Sequence, residues 1–425
     1  MIGRRELVRA LERRRVSDWV VIERAQELAL ADEARGLERR EARTRATLIV
    51  HQDVPSGRGT ARLELAALEG SAADLVDRAL ALAAAAVAPS WKSVAPAAPA
   101  KVTVLDPALA RADLAQAAAA ALRGLRRPAG ATASASLELL REQVAVQSSA
   151  GLTARWTASQ LRAEALVAAG DRSLAVAREA RRLGDLGLPA ALAGAAADLG
   201  LSAAAGAPEP GRCALVLTAE AMLHGGGHGV WAPFAAHADA ALERRGLTRY
   251  RVGAPVAPGA DRADEPLGIA SDGALDFATG SAPVGEDGDA IRRFPLIERG
   301  VCVGVGLSAR EAARRGRDPN GGVRNLVVAP GTWDGDAAAA AARRGRAVEV
   351  RRLRALSIDP YTGEASLELL LAVDHRGGAA RPFTSGAVYL DLVAALARAR
   401  RSAQLIARGP YLGPAAALIE DAELV

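Results

Sequence analysis

The sequence predicts an α+β fold: an N-terminal antiparallel sheet with helices on one face, then a strand-rich C-terminal domain with long loops. Three observations predict it. Runs of period-two or β-branched residues recur along the chain, Ala/Leu-rich helical stretches separate them, and Gly206-Ala-Pro-Glu-Pro-Gly211 punctuates the middle as a boundary. The expected domains are residues 1–205 and 212–425. With 425 residues, 50% hydrophobic and 24% charged, the chain can bury a sizeable core and is not a disordered polymer.

The elements follow in order. Glu6–Val16 places Leu7, Leu11 and Val16 near helical spacing. Asp18–Leu30 and Arg43–Gln52 are apolar and β-branched enough for strands, and Thr60–Leu65 alternates in period two. Pro55-Ser-Gly-Arg-Gly59 between the last two is hairpin chemistry. Ser71 and Asp74 open a helix over Ala72–Val87, because a Ser-x-x-Asp start satisfies free amide groups of the first turn. Ala88–Ala100, rich in proline, reads as an exposed connector. A similar order then recurs, as an internal duplication would produce: a helix over Pro107–Arg126, a strand over Thr132–Ser149, a turn at Gly151, an alternating run over Leu152–Ala169 and a helix over Pro189–Leu201. Beyond the boundary, Arg212–Thr218, Val323–Ala329, Ala347–Ile358 and Ala365–Val373 read as strands, Gly253–Asp289 as mostly loops and short strands, and Asp391–Ala403 as a helix.

Composition removes several functions. Two cysteines, Cys213 and Cys302, are too few for a disulfide framework, a four-thiolate zinc site or an iron–sulfur cluster held by four Cys. Fifty-four basic residues nearly balance 49 acidic ones, and aromatic residues for base stacking are scarce, so no nucleic-acid partner is expected. The Arg runs at Arg13–Arg15, Arg314–Arg317 and Arg398–Arg401 read as solvated faces. The most apolar stretch, Ala79–Pro89, falls short of the roughly 18 residues a bilayer requires, so no membrane partner is expected. The basic first residues lack a following apolar h-region, and the expected location is the cytoplasm.

Chemistry concentrates at His224-Gly-Gly-Gly-His228, with His237 nearby. Two imidazoles four residues apart on a helix can share a metal. Three consecutive glycines, each costing about 1 kcal/mol in a helix relative to Ala, argue against that helix. No Glu follows His224 to serve as general base for a metal-bound water. The competing reading is a glycine loop with solvent-facing or core-satisfied imidazoles. The same HGGG could supply oxyanion amides in a serine hydrolase, but the G-x-S-x-G elbow is missing: Gly306-Leu-Ser308-Ala-Arg310 fails at its last position. No phosphate-binding glycine loop follows a strand. Acidic runs at Asp261–Glu265 and Glu286–Asp289 read as solvated loops rather than as calcium or glycosidase carboxylates.

The second half carries an ordered series: Phe294-Pro-Leu-Ile-Glu-Arg-Gly-Val301, Gly321–Pro330 with Gly331, Asp359-Pro-Tyr-Thr-Gly363, Ala365-Ser366 and Arg381-Pro-Phe383. It resembles the TldD/PmbA family, whose strands and hairpins show such motifs in this order. Ser148-Ser-Ala-Gly151 resembles a family turn more faintly. The resemblance implies a TldD/PmbA-like fold. It also implies a split by subunit: TldD-like members are zinc metallopeptidases using H-E-x-x-x-H and a C-terminal Cys, while TldE (PmbA) members lack that set and partner TldD. Here the corresponding place reads His224-Gly-Gly-Gly-His228, without the Glu and one residue short, and no Cys follows Cys302. The expectation is a TldE-like subunit without catalytic residues of its own, with zinc in a TldD-like partner and unfolded or precursor peptides as substrate. The chain is expected to form a hetero-oligomer with that partner, or a homodimer when alone. Two alternatives remain open: a divergent hydrolase with metal on His224 and His228, and a stand-alone peptide-binding scaffold. Val301–Leu307 offers a small-residue edge strand, through Val301, Val303 and Val305, to which an extended peptide can add.

Overall fold

A computed structural model describes residues 3–65, 71–89, 91, 98–285 and 287–425. Most of the connector expected over Ala88–Ala100, and Glu286 of the second acidic run, lie outside the described residues. The first half runs α1 (Arg4–Arg13), β1 (Asp18–Asp32), β2 (Gly36–Val54), β3 (Gly57–Leu65), α2 (Ala72–Ala85) and β4 (Val87–Ala88). It continues as α3 (Leu114–Arg123), β5 (Thr132–Ser148), β6 (Thr153–Ala169), β7 (Arg172–Ala180) and α4 (Leu188–Ala203). The strands form one antiparallel sheet in the order β4-β3-β2-β1-β5-β6-β7. The helices pack against one face of it.

This sheet is two copies of one unit. Each copy reads helix, three strands in meander, helix. The copies meet at β1 and β5, where Val20 faces Ser148 and Asp32 faces Ser136, so the register is symmetric about the pair Gln26 and Glu142. Each copy also has its own core. In the first, Leu7, Leu11, Trp19, Leu48 and Val76 pack together; in the second, Leu122, Leu137, Leu161, Val176 and Leu192 do.

Local chemistry sets most boundaries. The Ser71 hydroxyl accepts from the Asp74 amide, and the Asp74 carboxylate accepts from the Ser71 amide, closing the capping box of α2. The helix expected over Pro107–Arg126 is broken: a short 3-10 turn covers Pro107–Leu109, and Asp113 caps a fresh start for α3. Strand β7 carries no expectation from sequence, because RSLAVAREA is Ala-rich and short; its burial nevertheless alternates. Residues 183–203, Leu183–Ala203, are long and apolar enough by length and composition to cross a membrane, contrary to the estimate from the sequence. In the fold, α4 within this stretch lies on β6 and β7 with Leu188, Leu192 and Leu199 buried, and Asp198 inside it is ion-paired.

The second half runs β8 (Gly211–Thr218), α5 (Ala219–Met222), α6 (Ala232–His237), α7 (Ala240–Arg244), β9 (Ile269–Asp272), β10 (Arg293–Glu298), β11 (Val301–Cys302) and α8 (Ala309–Arg314). Then come β12 (Asn325–Val328), α9 (Ala337–Arg344), β13 (Ala347–Ile358), β14 (Glu364–Arg376), β15 (Ala379–Phe383) and β16 (Ala387–Asp391). The last elements are α10 (Leu392–Arg398), β17 (Arg400–Arg401), β18 (Leu405–Arg408), β19 (Tyr411–Pro414) and β20 (Ala416–Leu424). The helix expected to reach Ala403 stops at Arg398, because residues from Arg400 onward pair with β20.

Strands β13, β8, β20, β16 and β14 follow one another in that order, and β14 pairs back onto β13, so this sheet closes on itself. A second sheet runs β11-β10-β9-β12-β19-β18. The two share a core in which Trp231 stacks on Tyr411 beside Phe234, Leu215, Val348 and Leu367.

Candidate functional site

The face of the N-terminal sheet turned away from its helices looks toward the second half, and three clefts lie along it. The largest, about 720 Å3, is bordered by Ser134 and Ser136 of β5, Leu166 of β6, Ala175 and Ala177 of β7, and Glu220, His224, Arg352 and Arg354 from the second half. A polar cleft of about 380 Å3 holds Arg24, Gln26, Glu142, Trp156 and Arg181. The third, about 270 Å3, lies between Arg162, Glu179 and Arg408. The loop after α5 borders both the first and the third through Leu223, Gly225 and Gly226.

That loop is the HGGGH segment. Gly225, Gly226 and Gly227 all have positive φ, at +76°, +81° and +58°, so His224 and His228 do not share a helix face. Gly229, at φ +52°, lies so close to the carbonyl of Met222 that a Cβ would fall 1.9 Å from its oxygen. His224 borders the large cleft. His228 turns the other way: its Nε2 donates to the Arg324 carbonyl at 2.8 Å. His237 is buried, with Nδ1 3.0 Å from the Thr248 hydroxyl. Burial holds all three imidazoles below the usual histidine value, so each is neutral near pH 7.

The acid of this region lies before the histidines. Glu220, on α5, is clamped by three guanidinium groups: Arg178 of β7 at 2.6 Å, Arg408 of β18 at 2.8 Å and Arg352 of β13 at 3.1 Å. These cations outweigh desolvation and keep its carboxyl below the ordinary Glu value. The clamp continues into Asp198 of α4, which accepts from Arg351 at 2.6 Å and Arg352 at 2.7 Å. Glu349 then bridges Arg351 and His375. The network thus ties β7 and α4 to the barrel. Sequence inspection passes over it because the partners are far apart in the chain and each residue alone looks like surface charge. The signal that was available is the group Arg351, Arg352 and Arg354 inside a strand whose other residues are mostly apolar.

These residues do not fit a zinc ion. Glu220 is consumed by three cations, whose charge opposes a divalent metal at that place, and His228 is turned onto a backbone carbonyl. Among the described residues, no group of three or more His, Cys, Asp or Glu stands close enough to share a metal.

The edge offered by Val301, Val303 and Val305 is already filled. Cys302 accepts from the Gly253 amide at 2.7 Å and donates to the Ala254 carbonyl at 2.9 Å, and Pro255 bridges to Val301. Strand β11 is only two residues long, Val303 donates to Leu296, and Val305 is buried. The small residues serve the chain's own backbone: a Cβ on Gly304 would meet the Pro295 oxygen at 2.3 Å. The acidic run at Asp261–Glu265 is likewise engaged through Glu265, which accepts from the Thr332 and Arg401 amides.

A family profile described as the PmbA/TldA metallopeptidase C-terminal domain matches residues 210–421. None of the curated proteins matches the chain. Among solved structures, one from Thermotoga maritima, described as a candidate modulator of a DNA gyrase, aligns over 99% of this chain and 98% of its own, at 15% identity and a TM-score of 0.77. One from Bacteroides thetaiotaomicron, described in the same way, covers 100% of this chain and 99% of its own, at 13% identity and a TM-score of 0.76. TldE from Thermococcus kodakarensis covers 98% of this chain and 100% of its own, at 15% identity and a TM-score of 0.73. At such identities the likeness is one of fold.

Proposed function

Through its C-terminal half the chain belongs to the TldD/PmbA family, and from that premise we propose that it is a TldE-like subunit without peptide-bond chemistry of its own. It works in the cytoplasm beside a TldD-like zinc peptidase, on unfolded or precursor peptides. One observation carries this reading: the Glu220 carboxylate is neutralised by Arg178, Arg352 and Arg408. A general base must take up a proton readily, and the three guanidinium groups hold this carboxyl below the ordinary Glu value, which makes it a weak proton acceptor. The His228 contact with the Arg324 carbonyl supports it further and weighs against the alternative of a metal on His224 and His228.

What this chain supplies is a wall and a groove. A peptidase that spares folded proteins needs an enclosed site that only an extended chain can enter. The clefts along the open sheet face suit such a chain, because apolar and polar surfaces alternate along them. The zinc of the partner would supply the attacking water; Glu220 and its arginines fix the position of the 223–228 loop at the groove.

The test is a peptidase assay of the chain with and without a TldD-like partner, with zinc quantified in both samples. The lone chain is expected to leave peptides intact and to hold no stoichiometric zinc, and the mixture to cleave them. Cleavage by the lone chain, silenced by a chelator and by the double change His224→Ala, His228→Ala, overturns the reading.

A further inference from the structure

One cation at the large cleft, Arg354, has no ion-pair partner among the described residues. The ladder between β13 and β14 is interrupted by register shifts that leave Arg351 and Arg354 on β13, and Leu370 on β14, without a cross-strand partner. Bulges of this kind re-aim side chains and gather near functional sites. Here they bring Arg354 and Leu370 to the same cleft. Arg351 and Arg352 are paired with Asp198, Arg178 and Arg408 with Glu220, and Arg162 with Glu164. Arg354 is exposed, and among the described residues no carboxylate or hydrogen-bond partner is recorded for it. Two further carboxylates border the cleft and are engaged: Asp32 accepts from the Ala34 and Arg35 amides, and Glu164 pairs with Arg162; apolar side chains supply much of the rest. Leu166 is 48% exposed there although it is a large hydrophobic side chain, and Ala175, Ala177, Leu223 and Leu370 surround it. The volume, about 720 Å3, is that of a small-ligand pocket.

We propose that this cleft captures the C-terminal end of a peptide whose last residue is apolar, with the terminal carboxylate on Arg354 and the last side chain against Leu166. The inference rests on the peptide-holding role proposed above and gives it a direction. A guanidinium recognises a carboxylate through two parallel hydrogen bonds, which fixes orientation as well as position. The apolar floor beside it then selects the side chain next to that carboxylate. The His224 imidazole, which has no hydrogen-bond partner among the described residues, adds a neutral donor or acceptor at the rim.

The experiment measures binding of fluorescent octapeptides to the full-length chain without a partner. Four peptides are compared: one ending in Leu as the free acid, the same as an amide, the amide with one internal Asp, and the free acid ending in Asp. The free acid ending in Leu is expected to bind about ten- to a hundredfold more tightly than its amide, the scale of a charge-assisted hydrogen bond. Arg354→Ala is expected to erase that difference, and Leu166→Asp to erase the preference for Leu over Asp at the end. Equal binding of acid and amide overturns the proposal, and so does an unchanged difference in Arg354→Ala. Tight binding of the amide carrying internal Asp overturns the terminal assignment. Because binding is read on the lone chain, a complex that fails to cleave peptides would count against the subunit role while leaving this result to stand or fall alone.

Discussion

Asp198 and Arg352 form an ion pair at 2.7 Å between the last helix of the N-terminal half and the barrel, with side chains only 3% and 10% exposed. Removing one partner of such a pair leaves a buried charge uncompensated, which costs about 3–5 kcal/mol. Asp198→Ala is therefore expected to lower the unfolding free energy by that order in a chemical denaturation series. A loss below about 1 kcal/mol would show that the pair does not hold the halves together.

Glu220 balances three guanidinium groups at the groove. Its side chain is a quarter exposed, so solvent screens part of the effect. Glu220→Gln is expected to destabilise by less than Asp198→Ala, and to loosen the 223–228 loop. Hydrogen exchange at residues 223–228 should rise; unchanged protection there would remove Glu220 from the role of loop anchor.

Two glycines of the loop differ in what surrounds them. Both Gly226 and Gly229 are left-handed, but only Gly229 is pressed against the Met222 carbonyl. A left-handed alanine costs roughly 1–2 kcal/mol from conformation alone. Gly226→Ala should show a loss of that order in thermal unfolding, and Gly229→Ala a larger one, since the backbone must also move. Equal losses would mean that the close approach is not maintained.

Burial keeps His228 and His237 neutral, below the ordinary histidine value. The folded state then binds fewer protons than the unfolded one, so their contribution is complete above about pH 6.5 and is lost as pH falls toward the depressed values. Asp289 acts in the opposite sense. Burial raises it from 3.8 to about 6, so its contribution is present at low pH and fades as pH rises across that interval. Between pH 7 and 5, wild type should lose melting temperature relative to His228→Gln. A constant gap between the two would exclude the imidazole as the source.

Proline at Val303 is expected to damage the fold rather than peptide handling, because the Val303 amide donates to Leu296 at 2.8 Å and proline cannot. Circular dichroism of Val303→Pro should show a lowered melting temperature. A stable variant with weakened peptide binding would reopen this edge as a docking place.

Alternation over Leu152–Ala169 was enough to place β6, whose burial alternates in the fold, and apolar, β-branched composition was enough for β1 and part of β2, which are buried in runs. Neither was enough for β7, whose short alanine side chains give little contrast, or for the end of α10, which is set by pairing with β20. The glycine loop at His224–His228 was legible from its composition. The acid that matters beside it was not, since Glu220 draws its meaning from Arg178, Arg352 and Arg408, which lie on three other strands. The edge at Val301–Val305 was misjudged for a related reason: its covering segment, residues 253–256, looks in sequence like an ordinary loop.

The two matching units of the N-terminal sheet end differently. On the outer strand of the first, Arg58 and Gly59 are tied to Val87 and Ala88. The corresponding border of the second, β7, has no strand beyond it among the described residues and instead skirts the cleft at Ala175 and Ala177. A repeated unit thus leaves the sheet with one sealed rim and one open rim, and the open one borders the same cleft as Arg354.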